Sequence, residues 1–259
     1  VEGVTDRASY LARLQELVDR GTEPDEPFFT WGWNSYWHGS ITRQDLDAIS
    51  ATRPIVVTQR SSHEVVLNTA ALQAARVTEE VAALAPEGVD WEAGRFWERG
   101  QAVVRAGITR YLRAPDAADN GLELVADLIH RGGVTTIGDA GSAPIVGSTQ
   151  WESFRESFDT NQTPFRILHV ARAGGYEARS GDTLSAKFQN DLEASTNRLI
   201  FTKGVKHMAD GAMFAQYMQM GEPGYIDGHH GEWLTPPDEV AGPSGRRYAG
   251  AALGCLLPA

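Results

Sequence analysis

The sequence predicts an α/β protein, with parallel strands and crossover helices in its second half and an α+β region in its first. Three observations carry this. From Asn120 onward, amphipathic helices alternate with short apolar strands, which argues for a parallel sheet. The apolar residues Leu199, Ile200, Phe201 and Val205 end at Lys206, with Asp210-Gly211 just beyond. Such a run reads as a buried strand delivering a side chain to a sheet edge. Finally, 259 residues with 42% hydrophobic and 22% charged content suit one α/β barrel or two smaller domains.

The elements follow in order. Tyr10, Leu11, Leu14, Leu17 and Val18 share one helical face, with Thr5 as the cap and Gly21 as the stop. Residues 28–33 read as a strand entering an aromatic turn. Thr42-Arg43-Gln44-Asp45 opens a helix in capping-box form, with Asp45 where Glu or Gln is commoner. Residues 55–58 form a short buried strand, and Asn68 caps a helix over 69–75. Residues 78–118 look polar and helical, anchored by Trp91, Phe96 and Trp97, with no strong strand; they read as a connecting or lid-like insertion. A helix carrying Leu122, Leu124, Val125, Leu128 and Ile129 then ends at Gly132-Gly133. Strands follow at 134–138 and 165–170, and helices near 151–158 and 184–192 precede the lysine strand. Thr235-Pro236-Pro237-Asp238-Glu239 starts a helix that Gly242-Pro243-Ser244-Gly245 breaks. The small-residue stretch after it reads as an aberrant or truncated tail, 241–259.

The net charge of −11, from 23 basic and 34 acidic residues, argues against a nucleic-acid partner. No apolar run approaches the roughly 18–20 residues of a membrane span. The first residues lack the basic and apolar regions of a signal peptide, and the missing initiator Met suggests a start partway into a longer product. One cysteine, Cys255, excludes an internal disulfide or a cysteine zinc site and fits a reducing, cytoplasmic compartment.

Several residues could carry chemistry. In a (β/α)8 barrel the C-terminal strand ends hold the active site. Lys206 at such an end could be a base, a nucleophile or, if carboxylated, a metal ligand; the plain alternative is a surface lysine after an edge strand. His63 follows a strand and precedes the Asn68-capped helix, so it reads either as a residue at a strand mouth or as a turn histidine. Asp139 and Asp210 each follow a strand and precede a glycine-containing turn, and each reads as a site acid or a turn acid. His229-His230 lies in a Gly-rich loop that could line a substrate site. His130 suits a helix C-terminus, and His169 reads as packing within a strand. There is no His-x-His pair, no His-Glu-x-x-His, no phosphate loop and no nucleophile elbow.

Three stretches together resemble the amidohydrolase superfamily, family 3, in its YtcJ-like branch. The first runs through Trp31-Gly32-Trp33-Asn34, Thr42-Arg43-Gln44-Asp45-Leu46-Asp47 and Arg53-Pro54-Ile55-Val56-Val57 to His63-Glu64-Val65-Val66-Leu67-Asn68-Thr69-Ala70-Ala71-Leu72. The second is Gly133-Val134-Thr135-Thr136-Ile137-Gly138-Asp139, and the third runs from Gly204-Val205-Lys206 to Asp210-Gly211-Ala212. The resemblance spans roughly residues 3 to 240. It implies a partial TIM-like barrel of the metal-dependent hydrolase type over 119–240, with an α+β insertion on the substrate side over 1–118. It also implies cleavage of an amide or related C–N bond in a small-molecule substrate, by water activated on a divalent metal, usually zinc. By that resemblance Lys206 is the metal ligand, in the form of a carboxylated lysine; Trp33, His63 and His229 lie on the substrate side; and Asp139 and Asp210 are catalytic. The family's His-x-His pair and its later His and Asp ligands have no match here, so most ligands are expected outside the chain. The competing expectation is a truncated or decayed, non-catalytic homologue that binds or associates, since an incomplete barrel leaves open edges and favours homo-oligomers.

Overall fold

The computed structural model describes residues 4–20, 26–85, 87–112, 115–141, 144–172, 184–206 and 208–238. The chain divides into two compact units: Val1–Arg113 with Asp210–Leu234, and Ala114–Ala209 with Thr235–Ala259. Cys255, the expected tail at 241–259 and the helix stop at Gly21 lie outside the described residues.

The first unit opens with helix α1 (Arg7–Asp19). Its cap is Asp6, not Thr5: the Asp6 carboxylate accepts the Ser9 amide at 3.0 Å and the Ser9 hydroxyl as well. A carboxylate is the stronger acceptor for the first amides of a helix, and it also faces the positive end of the dipole. Strand β1 (Phe28–Trp33) leads through the short helix α2 (Ser35–His38) to α3 (Arg43–Ile49). The Thr42–Asp45 capping box forms as its spacing predicts. Strand β2 (Ile55–Gln59) pairs parallel to β1. Residues 64–67, which the sequence does not mark as a strand, form β3 (Glu64–Leu67), antiparallel to β2. Helix α4 (Thr69–Ala75) starts at Asn68 as expected, and α5 (Glu79–Ala82) follows.

The stretch expected to lack strands contains two: β4 (Val89–Asp90) and β5 (Arg95–Trp97). Each is too short to show alternation. Pairing with β3 holds β5 in place, giving the sheet order β1-β2-β3-β5-β4. Helix α6 (Gln101–Leu112) closes the segment.

Strand alternation sends side chains to two faces of this sheet. Ile55, Val57, Val66 and Trp33 meet Tyr10, Leu14 and Val18 of α1 and Leu46 of α3. Val56, Val65, Leu67 and Phe96 meet Leu72 of α4 and Val104 of α6. Each fully buried aliphatic side chain contributes roughly 1.5–3 kcal/mol, so α1 and α6 are held by these faces rather than by propensity.

The second unit begins with α7 (Pro115–Arg131), several residues earlier than its apolar face suggests. Strands β6 (Thr136–Ala140), β7 (Arg166–Arg172) and β8 (Leu199–Lys206) form a parallel sheet in the order β6-β7-β8. Helices α8 (Thr149–Phe158) and α9 (Leu184–Glu193) connect them. Trp151 and Phe158 of α8 pack with Phe165, Ile167, Leu199 and Phe201 into one core, flanked by Ile137 and by Leu122, Ala126 and Ile129 of α7. Among the described residues, no helix is long and apolar enough to cross a membrane.

Candidate functional site

The C-terminal ends of β1 and β2 lie at the same edge of the first sheet as the start of β3 and the end of β5. That edge gathers Trp33, Gln59, His63, Glu64, Trp97 and Glu98. His63 immediately precedes β3 and Glu98 immediately follows β5, so the Glu64–Trp97 pairing brings them together although they are 35 positions apart in sequence. The imidazole Nδ1 lies 2.7 Å from Glu98 Oε2. The His63 side chain is 26% exposed and that of Glu98 only 2%. The other Glu98 oxygen accepts the Ala212 amide at 2.9 Å.

Beside this pair, Glu64 is buried and accepts Arg95 Nε at 2.5 Å. Arg95 also donates to the Tyr217 hydroxyl, and its guanidinium lies 4.8 Å from the centre of the Trp97 ring. Trp97 and Tyr217 are nearly parallel, 6.1 Å apart. Burial, reinforced by Glu64, pushes the Tyr217 hydroxyl above its ordinary value. Glu232 is raised as well, by burial first and then by Glu98 and Glu87.

The loop Asp210–Leu234 belongs to this unit. Asp210 Oδ2 accepts the Gln219 amide at 2.9 Å, and its backbone bridges to Trp233. Gly211 follows because nothing larger fits: a Cβ there would lie 2.4 Å from the Cβ of Tyr217. His229 stacks on Tyr225 and contacts Asp227 Oδ1 at 2.5 Å and the Gln216 carbonyl at 2.6 Å. Both ring nitrogens thus serve the loop itself. Trp33 is 1% exposed, in the core, with Nε1 donating to the Gly39 carbonyl.

The other two candidates lie in the second unit, on opposite faces of its sheet. Asp139 Oδ2 lies 3.0 Å from His169 Nδ1, and the two residues are register partners. They alternate in phase with Ile137 and Ile167, which pack toward the helices. His169 is fully buried against Phe154 of α8 and Phe201 of β8, and its Nε2 has no partner among the described residues. Lys206 ends β8 at the register position beside residue 172 of β7, one step out of phase with Ala171 and so on the opposite face. A bulge precedes it: three β8 residues between Phe201 and Val205 face one in β7. Thr202 Oγ1 donates to the His169 carbonyl and stabilises the bulge.

The fold therefore gathers Trp33, His63, Asp210 and His229 in one unit and Asp139 and Lys206 in the other. Sequence reasoning missed Glu98, Glu64, Arg95, Tyr217 and the partner role of His169. The signal within reach was the aromatic pair Phe96-Trp97 beside Glu98. Among the described residues, no three His, Cys, Asp or Glu side chains come together to hold a metal ion.

Two solved structures share this fold. One is an uncharacterized metal-dependent hydrolase from Pyrococcus horikoshii OT3, 17% identical, with a TM-score of 0.58 over 98% of this chain and 47% of that one. The other is an uncharacterized metal-dependent hydrolase from Pyrococcus furiosus, 20% identical, with a TM-score of 0.54 over 98% of this chain and 49% of that one. The chain thus spans about half the length of these structures. No curated protein matches it significantly in sequence. The family model described as "Amidohydrolase family" (Amidohydro_3) matches residues 2–238, and the chain belongs to that family.

Proposed function

We propose that the chain serves metal-dependent hydrolysis of an amide or related C–N bond in a small-molecule substrate, as a YtcJ-like cytoplasmic amidohydrolase. The family match over residues 2–238 carries this reading. In it, β6, β7 and β8 are three successive strands of a (β/α) barrel, and residues 1–118 form an α+β insertion. The divalent ion is zinc. The described residues by themselves do not fit a complete metal centre; they contribute Lys206, as amine or carbamate, as one candidate ligand. His63 faces the substrate. His229 and the Trp33 turn shape the walls around it, and Asp139 and Asp210 act through the groups they hold.

Elemental mass spectrometry on the purified chain and its Lys206→Ala variant tests this. Bound zinc in the chain, lost in the variant, would establish Lys206 as a ligand completed by groups beyond the described residues. Zinc at background level in both would overturn the role given to Lys206.

One observation favours a second reading, a non-catalytic chain that self-associates. Leu124, Val125 and Leu128 of α7 are 65%, 45% and 67% exposed and lie on one helical face. If copies pair through it, Leu124→Glu with Leu128→Glu should convert a dimer to a monomer in light scattering. A monomeric wild type would remove this reading.

A further inference from the structure

We propose that His63 and Glu98 form a proton-transfer pair, His63 Nε2 exchanging a proton with the leaving nitrogen of the substrate and Glu98 serving as the positioning residue. The inference rests on the hydrolase reading above and adds residues and roles to it.

The geometry fixes the imidazole. An ionised carboxylate can only accept, so the 2.7 Å contact to Glu98 puts the proton of neutral His63 on Nδ1 and a lone pair on Nε2. No described residue bonds Nε2. Two other histidines of this unit show the contrast. His38 engages the Asn34 amide with Nδ1 and the Val4 carbonyl with Nε2. His229 likewise engages partners through both nitrogens. His38 and His229 thus use both nitrogens, whereas His63 uses one; His230 also hydrogen-bonds through one, Nδ1 to the Met220 carbonyl, but its Nε2 lies 4.0 Å from the exposed Glu222 carboxylate.

Glu98 is held more firmly than a turn requires. Its backbone sits at φ +41°, a left-handed value that costs a non-glycine residue on the order of 1 kcal/mol. Packing around it enforces that conformation. The Glu98 amide donates to the His63 carbonyl at 2.9 Å, and the Trp97 amide donates to Gly88 at 2.9 Å. Gly100 lies so close to Gly88 that a Cβ would fall 1.8 Å from the Gly88 oxygen. With the Ala212 amide on Oε1, both carboxylate oxygens are fixed, which is how an orienting group holds a base.

In the step this permits, the oxygen of water bonds to the amide carbonyl carbon and one of its protons passes to Nε2. The C–N bond breaks with its electron pair on nitrogen, which takes the proton from Nε2. Water has added across the bond, giving a carboxylic acid and an amine, and Nε2 ends as it began. Glu98 stabilises the transient imidazolium.

Two measurements test the pair. The first is nitrogen-15 NMR of the neutral imidazole in the wild type and in Glu98→Gln. We expect the Nδ1–H tautomer in the wild type. A glutamine has one acceptor for two donors; if it keeps the Ala212 amide, its NH₂ faces Nδ1 and His63 shifts to Nε2–H. Nε2–H in the wild type, or one tautomer unchanged in both, overturns the proposal. The second compares an alkyl amide with a 4-nitroanilide of the same acid. His63→Gln removes both transfers and should lower kcat/KM at least about 100-fold for the alkyl amide, and about 10-fold less than that for the anilide, whose leaving nitrogen departs without the proton. Equal losses would rule out transfer to the leaving nitrogen and overturn the proposal. A wild type that cleaves neither amide would count against the hydrolase reading alone, and the tautomer measurement would still decide the pair.

Discussion

Asn68 in the first unit and His169 in the second are both completely buried polar side chains, and they are held in opposite ways. Asn68 makes four hydrogen bonds. Its carbonyl accepts the amides of Ile55 at 2.9 Å and Ala71 at 2.8 Å, and its NH₂ donates to the carbonyls of Ser50 and Arg53 at 2.9 and 2.8 Å. It joins β2, α4 and the end of α3 at one point. His169 has one polar partner, Asp139, and is otherwise wedged between aromatic rings, with Nε2 unmatched among the described residues. The difference separates a polar residue that organises backbone from one tolerated inside an apolar core. Burial alone does not tell these apart; the count of partners does.

Substitution at Asn68 should have the largest effect. Asn68→Ala strands two amides and two carbonyls, each worth about 1–3 kcal/mol when buried and unmet, though not additively. We expect a loss of roughly 3–5 kcal/mol in urea unfolding of the first unit, enough to unfold a marginal domain. Asn68→Asp keeps both acceptor contacts and should lose less. A cost below about 1 kcal/mol for the alanine variant would mean that water replaces the side chain, and the contrast with His169 would fail.

His169→Phe should cost about 1 kcal/mol or less. The ring stays near Phe154 and Phe201, the unmatched Nε2 disappears, and Asp139, which has further interactions, loses one partner. Thermal unfolding of the variant measures it. A loss above about 3 kcal/mol would show that Nε2 has a partner in solution, so that His169, like Asn68, would be held through all its polar atoms.

The sequence makes Asn68 legible, because an N-cap asparagine before a helix-forming run is a local signal. The Thr42–Asp45 box and the parallel strands of the second unit are legible for the same reason: their signals lie within a few residues. Strands β4 and β5 are not, since two or three residues carry no period and exist only through pairing with β3. Glu98 is invisible for a related reason. Its value comes from His63, thirty-five positions away, and from Ala212, farther still. Asp139 shows a subtler limit. Its place near a strand end is readable, but the face it occupies depends on phase with Ile137, and both neighbouring faces look apolar in sequence. The Asp210-Gly211 step has a reason that only the fold reveals, the close approach of Tyr217.

The smallest effect sharpens the contrast between His63 and His229. The Gln216 carbonyl first, and the Asp227 carboxylate second, raise the His229 pKa above the ordinary histidine value. With acceptors at both ring nitrogens, the imidazolium is the form that fits the loop. A group whose folded pKa is raised adds stability that is fully present below the unfolded value of about 6.5 and is lost as pH rises through the folded value. The His229 side chain is 38% exposed, so solvent screening keeps the contribution below about 1 kcal/mol. Protection of the Tyr225 amide, which donates to the His229 carbonyl, should therefore fall as pH rises from about 6.5 through the raised folded value, once intrinsic exchange is corrected. In His229→Phe the fall should vanish. The same fall in both proteins would place the titrating group elsewhere, and His229 would no longer differ from His63 in being tied to the loop through both its nitrogens.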